Sequence, residues 1–268
     1  MTLSRRLFSS TLLIGLTAFV LFRCEAVWFG VLGLLFSTLA LYEFFTLLRK
    51  AKMPCFRLFG TVMGAVLPVV VTFEHGATIS GEVLFIVLGC LFLFILQFTR
   101  KDNSEALIAI ALTLFGILYV SWFLCFILKM RFLEHGAIWC AYLLSVTKAA
   151  DIGAYSVGTT LGRHPLIPHV SPKKSVEGLF GGVLFSTAVS VAFQPYLPLH
   201  WSVPHLVILG VLIGIVGQIG DLSESLMKRF CSAKDSGTIL PGMGGILDAV
   251  DSILFTAPIF YFHLRVFA

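Results

Sequence analysis

The chain predicts an all-α, polytopic integral membrane protein with about nine transmembrane helices. Composition is the first reason: 58% of its 268 residues are hydrophobic and 12% are charged, against roughly 25% charged in soluble domains. A soluble core cannot absorb that much apolar surface without leaving the exterior largely hydrocarbon. Apolar runs long enough to cross a bilayer, about 17–25 residues as helix, also recur along the whole length. Finally, the cations gather on alternate connections, the asymmetry that orients membrane helices.

In order, the expected spans are 7–22, 26–48, 58–73, 83–99, 106–128, 137–157, 178–195, 204–221 and 252–267. The first carries Arg5 and Arg6 ahead of an apolar run, as a signal peptide does. No small-x-small site precedes Arg23 and another run follows at once, so a retained first helix is expected. The first and last runs are short enough to lie in the interface. One set of connections holds Arg5, Arg6, Arg49, Lys50, Lys52, Arg57, Arg100, Lys101, Arg163, Lys173, Lys174, Lys228, Arg229 and Lys234; the other holds Arg23, Lys129, Arg131 and Arg265. This bias puts the first set and the N-terminus in the cytoplasm, with the chain in the inner membrane. The net charge of +5 follows from that topology, and nucleic acid is not an expected partner. The six cysteines are scattered singly, without metal-ligand or redox spacing, and read as small buried hydrophobes. His75, His135, His164, His169, His200, His205 and His263 show no ligand spacing either. Glu43, near the end of the second span, is expected to pair with Arg49 or Lys50 at the interface.

Polar chemistry gathers in the second half, in three clusters that this topology places on the cytoplasmic side. In "KAADIGAYSVGTTLGRH", Lys148 and Asp151 are three residues apart on the sixth span, close enough to neutralise each other. Ionisable groups at such depth are costly and tend to be functional. Gly153, Gly158 and Gly162 are expected to relax the helix into a loop. In "SPKKSVEGLFGG", Pro172 and Ser175 suit a loop entering the seventh helix, and Glu177 suits its first turn. Lys173 and Lys174 beside that helix start offer two cations next to unpaired N–H groups, a natural anion site. The third cluster runs from "GQIGDLSESLMKR" through "FCSAKDSGTILPGMGGILDAVDS". Gly210, Gly214, Gly217 and Gly220 form a small-residue stripe that allows close helix approach. Asp221 is expected to end the eighth span, and Asp248 and Asp251 to sit at the start of the ninth. Carboxylates at helix ends among cations suit a hard divalent ion shared with substrate phosphates, and "PGMGG" brings backbone close without side-chain obstruction. Phosphoryl-type transfer needs little beyond such positioning and charge neutralisation.

These motifs resemble the phosphatidate cytidylyltransferases, or CDP-diacylglycerol synthases. The family pattern S-x-x-K-R, four residues, K-D-x-G, then P-G-x-G-G-x-x-D-R-x-D is met by Ser225, Lys228, Arg229, Lys234, Asp235, Gly237, Pro241, Gly242, Gly244, Gly245, Asp248 and Asp251. Two upstream patterns are met by Asp151, Gly153, Tyr155, Gly158, Ser171, Pro172, Lys174, Ser175, Glu177 and Gly178. The resemblance implies transfer of CMP from CTP to phosphatidate, with Mg²⁺ as cofactor. It implies Asp221 and Asp248 as metal ligands, Asp251 as a further one, and Lys228 and Lys234 beside them in catalysis. Substrate contacts are implied for Lys174, Ser175, Arg229, Asp151 and Asp235. Within one membrane domain, residues 1–135 then supply supporting helices and 136–268 the catalytic region; a second copy of the chain is admitted as partner. The chain departs from the pattern at Ala249, where arginine is usual, at Met243, where histidine is usual, and at Lys148. Alternatives are a CTP-dependent kinase of a membrane lipid alcohol, a lipid-binding relative without catalysis, and a transporter. The last would show paired broken helices or an inverted repeat, and neither is present.

Overall fold

A computed structural model describes residues 3–73, 81–242 and 244–267, with side chains from Ser9 onward. Met243, His75 and the side chains of Arg5 and Arg6 lie outside what it describes. The helices are α1 (Leu3–Arg23), α2 (Ala26–Lys50), α3 (Arg57–Phe73), α4 (Gly81–Phe98), α5 (Ala106–Gly116), α6 (Phe123–Arg131), α7 (Gly136–Leu161), α8 (Val176–Ala192), α9 (Val203–Phe230) and α10 (Ile246–Phe267). A π-helical turn, Ile117–Trp122, joins α5 to α6 as one apolar stretch. The all-α, multi-pass membrane class therefore holds.

The count of nine spans is a different matter. Among the described residues, five helices are long and apolar enough to cross a bilayer: α2, α4, α5 through α6, α9 and α10. Three shorter apolar helices are Ser9–Arg23, Arg57–Phe73 and Val176–Ala192. Helix α7 is 26 residues long, but Lys148 and Asp151 dilute the hydropathy of its centre.

Internal packing divides the chain into two compact units. The first joins Met1–Phe132 to the segment Phe230–Ala249; the second joins Leu133–Arg229 to Val250–Ala268. In the first, α3 and α5 approach α2 closely because their glycines meet its large side chains. A Cβ on Gly60 would come within 2.7 Å of Phe45, and one on Gly116 within 2.6 Å of Phe44. Ser37 Oγ lies 2.7 Å from Ser121 Oγ, so two buried hydroxyls satisfy each other inside the apolar core.

In the second unit, α7 and α8 cross on glycine. A Cβ on Gly153 would lie 2.6 Å from the Gly181 carbonyl oxygen, and one on Gly182 would lie 2.9 Å from that of Ala150. This corrects the expectation that Gly153 and Gly158 loosen the helix: α7 runs through both and stops only before Gly162. Their missing side chains make room for a neighbouring backbone, the use small residues serve between membrane helices. The stripe on α9 serves the same end. Gly210 faces Thr187 of α8, with a Cβ there only 2.6 Å from its Cα, and Gly220 faces the Asp251 carbonyl of α10 at the same distance. Ser186 and Ser190 reinforce the α8–α9 contact by donating to the Gly210 and Leu206 carbonyls at 2.9 and 2.6 Å.

Two further boundaries shift. Asp221 does not end its helix; α9 continues to Phe230. Charge ends a hydropathy window but not a hydrogen-bonded helix, and Lys228 and Arg229 suit the last turn of a helix dipole. The connection before α8 is also more ordered than a loop. It forms a small antiparallel hairpin, β1 (Pro165–Ile167) with β2 (Ser171–Ser175).

Replacing Gly182 by leucine is expected to destabilise the protein by ~1–3 kcal/mol, the usual cost of overpacking. Gly15→Leu should change nothing, because no atom lies within 4 Å of a Cβ there. Thermal unfolding in detergent checks the pair; equal midpoints would contradict the close crossing.

Candidate functional site

The second unit assembles an acid–lysine cluster from α7, β2, α9 and α10. Lys148 Nζ sits 2.9 Å from Asp151 Oδ2. It also donates to Ser252 Oγ at 3.1 Å, and that hydroxyl in turn donates to Asp151 Oδ2 at 3.1 Å. The three groups close a small ring, so the pairing expected from their spacing on α7 is present. Asp221 Oδ2 pairs with Lys174 Nζ at 2.8 Å. Asp251 is 7% exposed, and its Oδ1 accepts the Ser252 N–H at 2.6 Å. It feels the charges of Asp221, Lys148 and Asp151.

Strand geometry explains why one of two adjacent lysines takes part. Successive residues of β2 point to opposite faces; Lys173 is exposed, whereas the Lys174 side chain is 18% exposed and turned to Asp221. Ser175 then caps α8, its Oγ accepting the Gly178 N–H at 3.1 Å. Glu177 takes the N–H groups of Arg163 and His164 at 3.1 and 3.2 Å and the His164 ring at 2.5 Å, tying the start of α8 to the connection between α7 and β1. The His164 hydrogen bond, followed by that of the Arg163 N–H, holds this carboxyl down to about 2. On α9, Lys228 pairs at 2.5 Å with Glu224, which is fully buried. Arg229 Nε donates to the Val170 carbonyl at 3.3 Å, holding the hairpin turn.

The first unit holds the remaining expected residues. Lys234 and Asp235 are exposed on the connection between α9 and α10. Asp248, in the first turn of α10, is half-buried and strongly engaged: its Oδ2 accepts from Ser236 N at 2.9 Å, Ser236 Oγ at 2.7 Å and Gly245 N at 2.8 Å. The left-handed turn at Gly244, φ +103°, sets this geometry, and only glycine adopts such a φ without strain. Cys231, on the same connection, is buried, and burial pushes its thiol up.

Glu43 corrects an expectation. It makes no ion pair with Arg49 or Lys50 among the described residues. It is 3% exposed, accepts the Leu247 N–H at 2.9 Å, and lies 3.2 Å from Ser236 Oγ. Ser236, Ser252 and Glu224 were likewise not singled out by sequence. The four-residue spacing of Glu224 and Lys228 was a readable sign; Glu43 carried none.

Whether a divalent cation suits the cluster turns on charge and donor chemistry. Three carboxylates, Asp151, Asp221 and Asp251, face two ammonium groups, Lys148 and Lys174. The donors are hard oxygens and the surplus is negative. Among the described residues no three His, Cys, Asp or Glu converge as a ready-made cage. Hard oxygen donors suit Mg²⁺, which uses one or two carboxylates and completes its shell with phosphate oxygens and water.

Taken together, the apolar helices and the partly exposed acid–lysine cluster define a multi-pass membrane protein built to handle charge within its helices. Comparison with known proteins places it more closely. The model of the cytidylyltransferase family matches residues 4–267, and the chain belongs to that family. Phosphatidate cytidylyltransferase of Brucella suis is 34% identical over 249 residues, 90% of this chain and 87% of that protein. The Bacillus subtilis protein of the same name is 39% identical over 152 residues, 56% of each chain. The uncharacterized protein YnbB of Escherichia coli is 40% identical over 155 residues, 58% of this chain and 51% of that protein. The matched stretch thus spans little more than half the length of these last two relatives.

Proposed function

We propose that the chain transfers CMP from CTP to phosphatidate, giving CDP-diacylglycerol and pyrophosphate. The observation that carries this reading is the Asp221–Lys174 pair beside Asp151, Lys148 and Asp251, in a chain whose relatives bear the name phosphatidate cytidylyltransferase. A phosphate oxygen of phosphatidate attacks the α-phosphorus of CTP; the new P–O bond forms as the bond to the β-phosphate oxygen breaks, and pyrophosphate carries the electron pair away. An ionised phosphate is already a nucleophile, so the site needs no strong base. Its work is positioning and neutralisation of phosphate charge.

Lys174 leaves Asp221 to meet a CTP phosphate, with Lys228 and Arg229 as further phosphate contacts and Ser175 as a substrate contact; the family resemblance assigns Lys234 and Asp235 to substrate as well. Lys148 keeps Asp151 and Asp251 from repelling each other before substrate arrives. Asp221 and Asp251 would hold Mg²⁺, which when bound supplies neutralisation of the transferring and leaving phosphates; the family resemblance assigns Asp248 a metal role as well. The site faces the cytoplasm of a bacterial inner membrane, where CTP is available. Purified protein should release pyrophosphate from CTP only when both phosphatidate and Mg²⁺ are present. Release that is equal with a lipid alcohol in place of phosphatidate would overturn the acceptor assignment.

A further inference from the structure

Helix α10 starts at Ile246, straight after Gly244 and Gly245, which have no side chains to accept from its first N–H groups. One acceptor arrives from α2, where Glu43 Oε2 takes the Leu247 N–H at 2.9 Å, and Ser236 Oγ accepts the Asp248 N–H at 3.3 Å. The backbone wraps this carboxyl tightly. A Cβ at Gly237 would lie 2.6 Å from Glu43 Cδ, and one at Gly245 would lie 2.5 Å from it. Ser236 Oγ then stands between two acids, 3.2 Å from Glu43 Oε2 and 2.7 Å from Asp248 Oδ2.

We infer that Glu43 is a positioning residue: it caps α10 from outside the helix and, through Ser236, fixes the orientation of the Asp248 carboxylate. This rests on reading Asp248 as part of the catalytic machinery. A buried carboxylate at a helix start satisfies orphan donors and complements the dipole, and a buried polar group left without partners is costly. Removing the side chain therefore releases the Leu247 N–H and leaves a void that Gly237 and Gly245 cannot fill. Hydrogen counting also ranks the substitutions. Ser236 has one hydroxyl hydrogen, and the shorter contact directs it to Asp248. Glutamine at position 43 can place its carbonyl oxygen where Oε2 stands and accept from Leu247, so Glu43→Gln keeps the cap of α10 and Glu43→Ala destroys it.

The test is amide hydrogen exchange across residues 236–248 of the full chain in lipid nanodiscs, without CTP or metal, together with steady-state kinetics. Glu43→Ala should speed exchange at Leu247 roughly 10-fold or more and lower kcat with little change in KM for CTP. Glu43→Gln should keep both close to the parent values. Ser236→Ala, which removes the link and the acceptor of the Asp248 N–H but not that of Leu247, should lower kcat while Leu247 stays protected; it also serves if Glu43→Ala does not accumulate. Unchanged exchange in Glu43→Ala, or Glu43→Gln behaving like Glu43→Ala, would overturn the inference. Full activity in Asp248→Asn would overturn the catalytic reading of Asp248 alone, because the exchange result is obtained without turnover.

Discussion

Asp221→Asn is expected to lower turnover on the order of 100-fold or more, as loss of a central electrostatic contact does, while the protein stays inserted. Asparagine keeps the shape of the side chain and its contact with Ser225, 3.4 Å from Asp221 Oδ1, but removes the charge that meets Lys174 and would hold Mg²⁺. Asp248→Asn is expected to lose as much for a related reason. Its carbonyl oxygen can still accept from Ser236 and Gly245, so the loop keeps its form and only the charge is lost. Turnover at limiting Mg²⁺ is the measurement, and near-normal rates in either variant refute that residue's part.

The second large effect separates two neighbours. Lys174→Ala should reduce kcat/KM for CTP on the order of 100-fold, the scale reached when one partner of an enclosed charge pair is truncated. Lys173→Ala should stay within about twofold, because an exposed lysine contributes little beyond general charge. The difference comes from β2, which turns Lys174 toward Asp221 and Lys173 away from it. Equal losses at the two positions would show that positive charge in general, rather than a specific contact, supports nucleotide use.

Much of this was legible in the residues because the signals are local. Hydropathy located most helix ends to within a few residues, though it missed the last nine residues of α9 and the first six of α10, and the three-residue spacing of Lys148 and Asp151 announced their pairing. Ser175 could be read as a cap from its place before Val176, Glu177 and Gly178. What failed was either ambiguous or distant. Gly153 and Gly158 read equally well as helix terminators or as a packing surface, and only the facing backbone of α8 decides. Asp221 interrupts an apolar run without interrupting the helix. The hairpin was hidden because five residues containing Pro172 and two lysines carry no alternating pattern. Glu43 meets Ser236 across 193 positions of sequence, and nothing around either residue points to the other. The charged, glycine-rich segment stands out in the sequence, but the acid that meets it lies in a helix where a carboxylate near basic residues has a simpler explanation.

Transfer of CMP, rather than of phosphate, is the central claim, and the position of the label in CTP tests it most directly. Purified protein is incubated with phosphatidate and Mg²⁺, once with CTP labelled at the α-phosphate and once with CTP labelled at the γ-phosphate. The account predicts lipid-soluble label from the α-labelled nucleotide only, with the γ-label recovered in pyrophosphate. Lipid-soluble label from γ-labelled CTP would mark a kinase and contradict it, and no lipid label from either would mark a chain without this catalysis.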